Sequence, residues 1–185
     1  SSVHDIARNE STGEIFVTDP IGTGTNGKIL HYDSDLNLLG EIPSPHTRPG
    51  PIAFIESINI EDVVLEDVLA VGQTNDNLIL RLIGLDGTVK TSYPMELPDT
   101  VLLGGLTYLP TTQEYALQDL ESHEIQVLDS TGRFQRSCKP TDLFGELPPM
   151  GAGLAYDPIL DTFQASFVDG LIREIPEQLL RDGIR

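Results

Sequence analysis

Cysteine occurs once in the 185 residues, as Cys138. A lone thiol excludes an internal disulfide and any metal site built from several cysteines. It closes an apolar-alternating run, so a half-buried thiol is expected there. Lysine occurs three times (Lys28, Lys90 and Lys139), and the formal net charge is −18. Such a surface repels phosphate backbones and anionic membranes, which argues against nucleic acid or a membrane as partner. It attracts divalent cations, basic proteins and cationic ligands instead. An acidic surface also serves solubility or salt adaptation and leans weakly towards an extracellular, secreted setting. No apolar run reaches the roughly 18 residues that a membrane helix needs. No charged, apolar, small-residue leader stands at the start, and an opening on Ser1 leaves room for a segment upstream. Helix signals are almost missing. "PEQLLRDG" (176–183) reads either as one short helix, with Pro176 at its start and Gly183 past its end, or as an irregular strand.

What the chain does contain is a repeat. The second apolar-strand position of each copy is Ala7 in "DIAR", Ala53 in "PIAF", Thr107 in "GLTY" and Ala155 in "GLAY". The spacings are 46, 54 and 48 residues. A period in that range, with several strands per copy, predicts propeller blades. The copies run approximately over 1–45, 46–98, 99–146 and 147–185, within a single all-β domain. Second strands are read in "EIFVTD", "VLAVGQ", "EYALQD" and "TFQASFVD", and third strands in "KILHYD", "LILRLIG", "EIQVLD" and "LIREI". Fourth strands follow in "NLLGEI", "TVKTSY" and "RFQRSC", and none is evident in the last copy. Period-two alternation carries these assignments. In "TFQASFV", Phe163, Ala165 and Phe167 share one face while Thr162, Gln164 and Ser166 share the other. One such hairpin cannot bury its apolar face alone, whereas stacked blades can. The second copy is the longest. Its surplus, "ESINIEDVVLED" (56–67), reads as an enlarged loop, lengthened strands or an interaction finger. Two ring closures fit: a compact four-bladed propeller, or part of a larger one whose exposed edges would favour self-association.

"GLTYLPTTQEYALQDLESHEIQVLDSTGRF" resembles a blade of the NHL-repeat and gluconolactonase-like propellers, a superfamily of six-bladed type. The fourth copy matches its first half, and "HDIARNESTGEIFVTDPIGTGTNGKILHYDSD" matches with a longer loop. The resemblance implies a propeller but no single activity. Lactonases of that group hold a pore calcium through a first-blade Glu, Asn side chains and an Asp. Where their innermost strands often begin Asn-Gly, this chain reads Gly104-Gly105 and Ala152-Gly153.

Candidate site residues lie where second strands end. Asp19, Asp119 and Asp169 are expected to rim one face, with Asn75 and Asp76 in the second copy and Glu121 beside Asp119. A ring of carboxylates suits Ca²⁺, which takes six to eight oxygen ligands. Alternatively each Asp accepts backbone N–H groups in its own turn. His46, with Arg48 in "PSPHTRPGP", and His123 are the histidines placed to act as a general base on that face. "GTGTNG" (22–27) fits a Gly-rich phosphate loop in spacing but leads into a strand, so no nucleotide cofactor is expected. No nucleophile elbow, zinc-protease motif or P-loop is present. The reading is therefore a propeller binding a small molecule or protein partner at one face, with a structural calcium ion. That face comprises 19–27, 43–50, 72–77, 94–105, 119–124, 139–153 and 168–170. The alternatives are a metal-dependent hydrolase or lyase of the sugar-lactone type, and a pure scaffold.

Overall fold

The computed structural model describes residues 5–19, 27–73, 78–97, 102–140, 150–167 and 169–176. All fifteen named elements are strands. The first blade is β1 (Ile6–Arg8), β2 (Ile15–Asp19), β3 (Lys28–Tyr32) and β4 (Leu38–Pro43). The second is β5 (Pro49–Ile60), β6 (Val63–Gln73), β7 (Ile79–Gly84) and β8 (Val89–Pro94). The third is β9 (Leu103–Leu109), β10 (Glu114–Asp119), β11 (Glu124–Leu128) and β12 (Phe134–Cys138). The fourth is β13 (Met150–Asp157), β14 (Thr162–Phe167) and β15 (Ile172–Pro176). Each blade is an antiparallel meander in chain order, so the chain forms a four-blade β-propeller.

The hydrophobic alternation explains the stacking. In β6, Leu69 and Val71 pack with Ala7, Phe16, Ile29 and Ile42 of the first blade, whereas Val68 and Ala70 face the third. In β10, Tyr115 and Leu117 join the core towards the second blade, and Ala116 joins the core towards the fourth. A strand buried on both faces reads as a continuous apolar run, as "VLAV" does. β14 differs. Phe163, Ala165 and Phe167 are buried against the third blade, while Gln164 and Ser166 on the other face are half-buried. Each fully buried Ile, Leu or Phe contributes roughly 1.5–3 kcal/mol, so three inter-blade cores carry the fold. Packing of first strands runs β1–β5–β9–β13. Among the described residues, β13 and β1 share no comparable packing.

Two glycines are required by geometry. A Cβ on Gly105 would lie 2.4 Å from the Leu154 backbone nitrogen, so Gly105 lets β9 and β13 approach. Gly132, in the β11–β12 turn, has φ of +84° and would meet the Pro94 carbonyl at 2.7 Å. The surplus of the second copy is lengthened strand: β5 and β6 continue to a turn at Glu61 and Asp62, both with positive φ. Ile58 and Ile60 of this long hairpin are buried in the core shared with Tyr108 and Tyr115, and Asn59 donates its N–H to Gln113 Oε1 at 3.2 Å. Cys138 is buried, not half-buried, because it enters the core of the third and fourth blades. Residues 177–185 and most of "GTGTNG" lie outside the described residues.

Candidate functional site

The first strand of each blade pairs with the second on one side only, so its other edge faces the propeller axis. The repeat brings equivalent residues of the four copies to the same height around that axis. A cavity of about 540 Å³ lies among them. Its floor is the aliphatic tier Ile6, Ile52, Leu106 and Leu154. Above it stand Ala7, Ala53, Thr107 and Ala155, whose small side chains leave the space open. The next tier is Arg8, Phe54, Tyr108 and Tyr156, and the rim is Glu10, Glu56, Pro110 and Pro158. Glu10, Pro110 and Pro158 lie in turns that follow first strands, so the mouth opens at that end of the molecule. The long β5–β6 hairpin walls it on one side through Ser57, which also lines the cavity.

Tyr108 and Tyr156 line the cavity, and their hydroxyls are hydrogen-bonded within the protein. The Tyr108 hydroxyl donates to the Ser57 carbonyl at 3.4 Å, and that of Tyr156 to Asp161 Oδ1 at 2.6 Å. Tyr108 packs on Tyr115 at 5.6 Å between centroids, and Tyr156 on Phe163 at 5.3 Å. Desolvation pushes the Tyr108 phenol up to about 12, so it stays neutral. The Gly-Leu-small-Tyr motif, expected to be packing, thus both packs and lines the cavity.

Beyond the floor lies Asp5. It is buried, and its Oδ2 accepts the backbone N–H of Ile52 at 3.0 Å and of Leu106 at 3.1 Å. One carboxyl of the first blade therefore ties equivalent residues of the second and third at the axis. Burial pushes its pKa up to about 8, against backbone hydrogen bonds from Ile52, Ile6 and Leu106 that pull the other way. At neutral pH the group is largely protonated. Asp5 belongs to no sequence motif. The signal was one column of the repeat: Asp5 stands where the other copies have Pro51, Gly105 and Gly153. The column three residues further on, Arg8, Phe54, Tyr108 and Tyr156, held the aromatic tier.

The residues expected to form a site lie at the opposite end, where second strands finish. Asp19 is half-buried and pairs in register with Lys28. Asp119 is buried and accepts the Glu121 N–H at 2.9 Å, the Ser122 hydroxyl at 2.5 Å and the Gln126 amide at 3.4 Å. Asp169 is exposed and accepts the Leu171 N–H at 3.0 Å and Arg173 at 2.8 Å, which holds its carboxyl below the usual range. Asp119 and Asp169 therefore serve their own turns. Among the described residues no three His, Cys, Asp or Glu side chains gather to hold a metal ion, so Asp19, Asp119 and Asp169 are not brought together. Glu121 is exposed, His123 is half-buried with φ of +58°, and Arg48 is exposed in the β4–β5 connection. Asn75 and Asp76 lie outside the described residues.

His46 is buried, and both ring nitrogens are engaged. Arg81 can only donate, so its contact of 2.8 Å makes Nδ1 an acceptor and leaves the proton on Nε2. Nε2–H then donates to the Val71 carbonyl at 3.2 Å. Gln73 Oε1 lies 3.0 Å from the same Nδ1 and, being an acceptor itself, makes no hydrogen bond to it in this tautomer. Burial, and secondarily the Arg81 charge, hold the imidazole below the usual histidine range. His46 fastens the inter-blade connection to β6 and β7, and its basic lone pair faces a guanidinium.

No family model matches the chain, and no curated protein is similar to it. A solved protein of unknown function from Bacteroides caccae has the same fold, with a TM-score of 0.52 and 11% identity. The likeness covers 96% of this chain and 61% of that one, so the chain spans about three fifths of that structure. At this identity the likeness concerns the fold alone.

Proposed function

We propose that this propeller is a binding module whose ligand sits in the axial cavity at the turn end of the first strands. One observation carries the reading: four repeat-equivalent positions, one per blade, converge on a single concave space in tiers of aliphatic, small, aromatic and polar residues. A volume of about 540 Å³ falls in the range of small-molecule pockets, about 300–1,000 Å³. Inner-strand edges supply backbone donors and acceptors, and the small tier keeps the centre free. The hydrolase or lyase alternative needs convergent carboxylates around a cation, an arrangement that nothing among the described residues supports.

The test is a fragment screen on ¹⁵N-labelled protein, repeated on Ala155→Trp. Ala155 is exposed and lines the cavity, so the indole should fill the space with little loss of stability. Hits should perturb the amides of Ala53, Thr107 and Ala155, and the variant should lose them while keeping its melting temperature. Hits that gather around Asp119 and Asp169, or that bind the variant unchanged, would contradict the reading.

A further inference from the structure

The chemistry of the cavity points to a class of ligand, an inference that rests on the cavity being the binding site. We infer that it takes an organic cation, an alkyl- or arylalkyl-ammonium group. Three of the four positions in its third tier are aromatic: Phe54, Tyr108 and Tyr156. The faces of such rings attract cations, most strongly where water is excluded. The Tyr108 hydroxyl is held by the Ser57 carbonyl and that of Tyr156 by Asp161, so neither phenol is left to seek a polar group of a ligand.

The charges at the mouth point the same way. The lining holds one arginine and two glutamates, a balance of −1. Arg8 does not fill the centre with positive charge. Its guanidinium contacts Glu10 at 3.5 Å and reaches towards the β1–β2 turn, where Nη2 comes within 3.9 Å of the Cβ position of Gly13. Among the described residues, no Lys, Arg or His side chain forms an ion pair with Glu56. Its carboxylate accepts the Ser11 hydroxyl, leaving the negative charge uncompensated at the rim. The chain as a whole carries −18, and a concave, apolar-walled cleft concentrates that field on what enters it. An anion would meet the same field as repulsion. A neutral ligand would gain only the apolar walls.

Three probes of matched size separate these cases: phenethylammonium, 3-phenylpropan-1-ol and 3-phenylpropionate. Each is titrated into ¹⁵N-labelled protein at pH 7 and low salt, with wild type and Glu56→Gln side by side. The amide in the variant keeps the bond to Ser11 and removes only the charge. Phenethylammonium should shift the amides of Ala53, Thr107 and Ala155 and bind about tenfold more tightly than the alcohol. The propionate should not bind there. Glu56→Gln and added salt should each weaken the ammonium several-fold. If the alcohol or the propionate binds in the cavity as well as the ammonium, the cation inference fails and the cavity reading stands. If the ammonium shifts no cavity amide, or binds Glu56→Gln unchanged, the inference fails as well. The fragment screen then decides the cavity on its own.

Discussion

The carboxyl group of Asp5 accepts the backbone N–H of Leu106 at 3.1 Å although 101 residues of chain separate them. The same oxygen takes the N–H of Ile52, so a single side chain links three blades at the axis. Removing it strands two buried donors. Asp5→Ala should destabilise the protein by about 2–4 kcal/mol, since an unsatisfied buried group costs about 1–3 kcal/mol. Asp5→Asn, which keeps an acceptor oxygen, should lose less. Urea unfolding at pH 6 compares the two. Equal stability of wild type and Asp5→Ala would show that the axial bonds are not holding the blades.

The raised pKa of Asp5 makes stability fall as pH rises. The folded carboxyl titrates at about 8, whereas an ordinary aspartate titrates at 3.8. Between those values the folded state holds a proton that the unfolded state has lost. This contribution is therefore full below pH 3.8 and is lost as pH rises towards 8. A displacement of this size corresponds to about 6 kcal/mol in all. Asp33, Asp86, Asp129 and Asp169 act in the opposite direction. Their folded pKa values are lowered, so their stabilisation is present above 3.8 and lost in acid. Together these groups place the optimum in mildly acidic solution. Urea midpoints should fall from pH 5 to pH 9 in wild type and stay nearly level in Asp5→Asn. A flat wild-type profile would contradict the burial of this carboxyl.

His46 should behave as a neutral structural ring. Its imidazole signals, followed by NMR, should titrate below the ordinary 6.5 because burial and Arg81 oppose the second proton. His46→Ala should cost about 2–4 kcal/mol through loss of the contacts to Val71, Gln73 and Arg81. A midpoint above 6.5 would mean that the ring is not held against the guanidinium.

Gly105 and Gly40 form a matched pair of substitutions. A Cβ at Gly105 would lie 2.4 Å from backbone of the neighbouring blade, whereas nothing lies within 4 Å at Gly40. Gly105→Ala should therefore destabilise by about 2–4 kcal/mol and Gly40→Ala by less than about 1 kcal/mol. Similar midpoints for the two would show that β9 and β13 have room to separate.

The blades were readable from the sequence because their signals are local and repeated. Alternation in "TFQASFV", the Gly turns and the recurrence of Ala7, Ala53, Thr107 and Ala155 needed no knowledge of long-range contacts. Lengthened strands were among the readings of "ESINIEDVVLED", an acidic-apolar stretch, and the structure chose them. The location of the cavity was not readable in the same way. Aspartates ending second strands drew attention as possible ligands. Asp119 and Asp169, however, meet their hydrogen-bonding needs within their own turns, which sequence spacing cannot distinguish from a shared site. Asp5 was hidden because one carboxylate beside an apolar strand looks like a surface residue until the second and third blades enclose it.

The most direct measurement is a crystal structure of the protein with a bound fragment. The account predicts density between Ala53 and Ala155, in contact with the rings of Tyr108 and Tyr156 and capped by Glu10 and Glu56. Density lodged instead at the opposite end, against Asp119 or Asp169 with the axial cavity filled only by solvent, would contradict it.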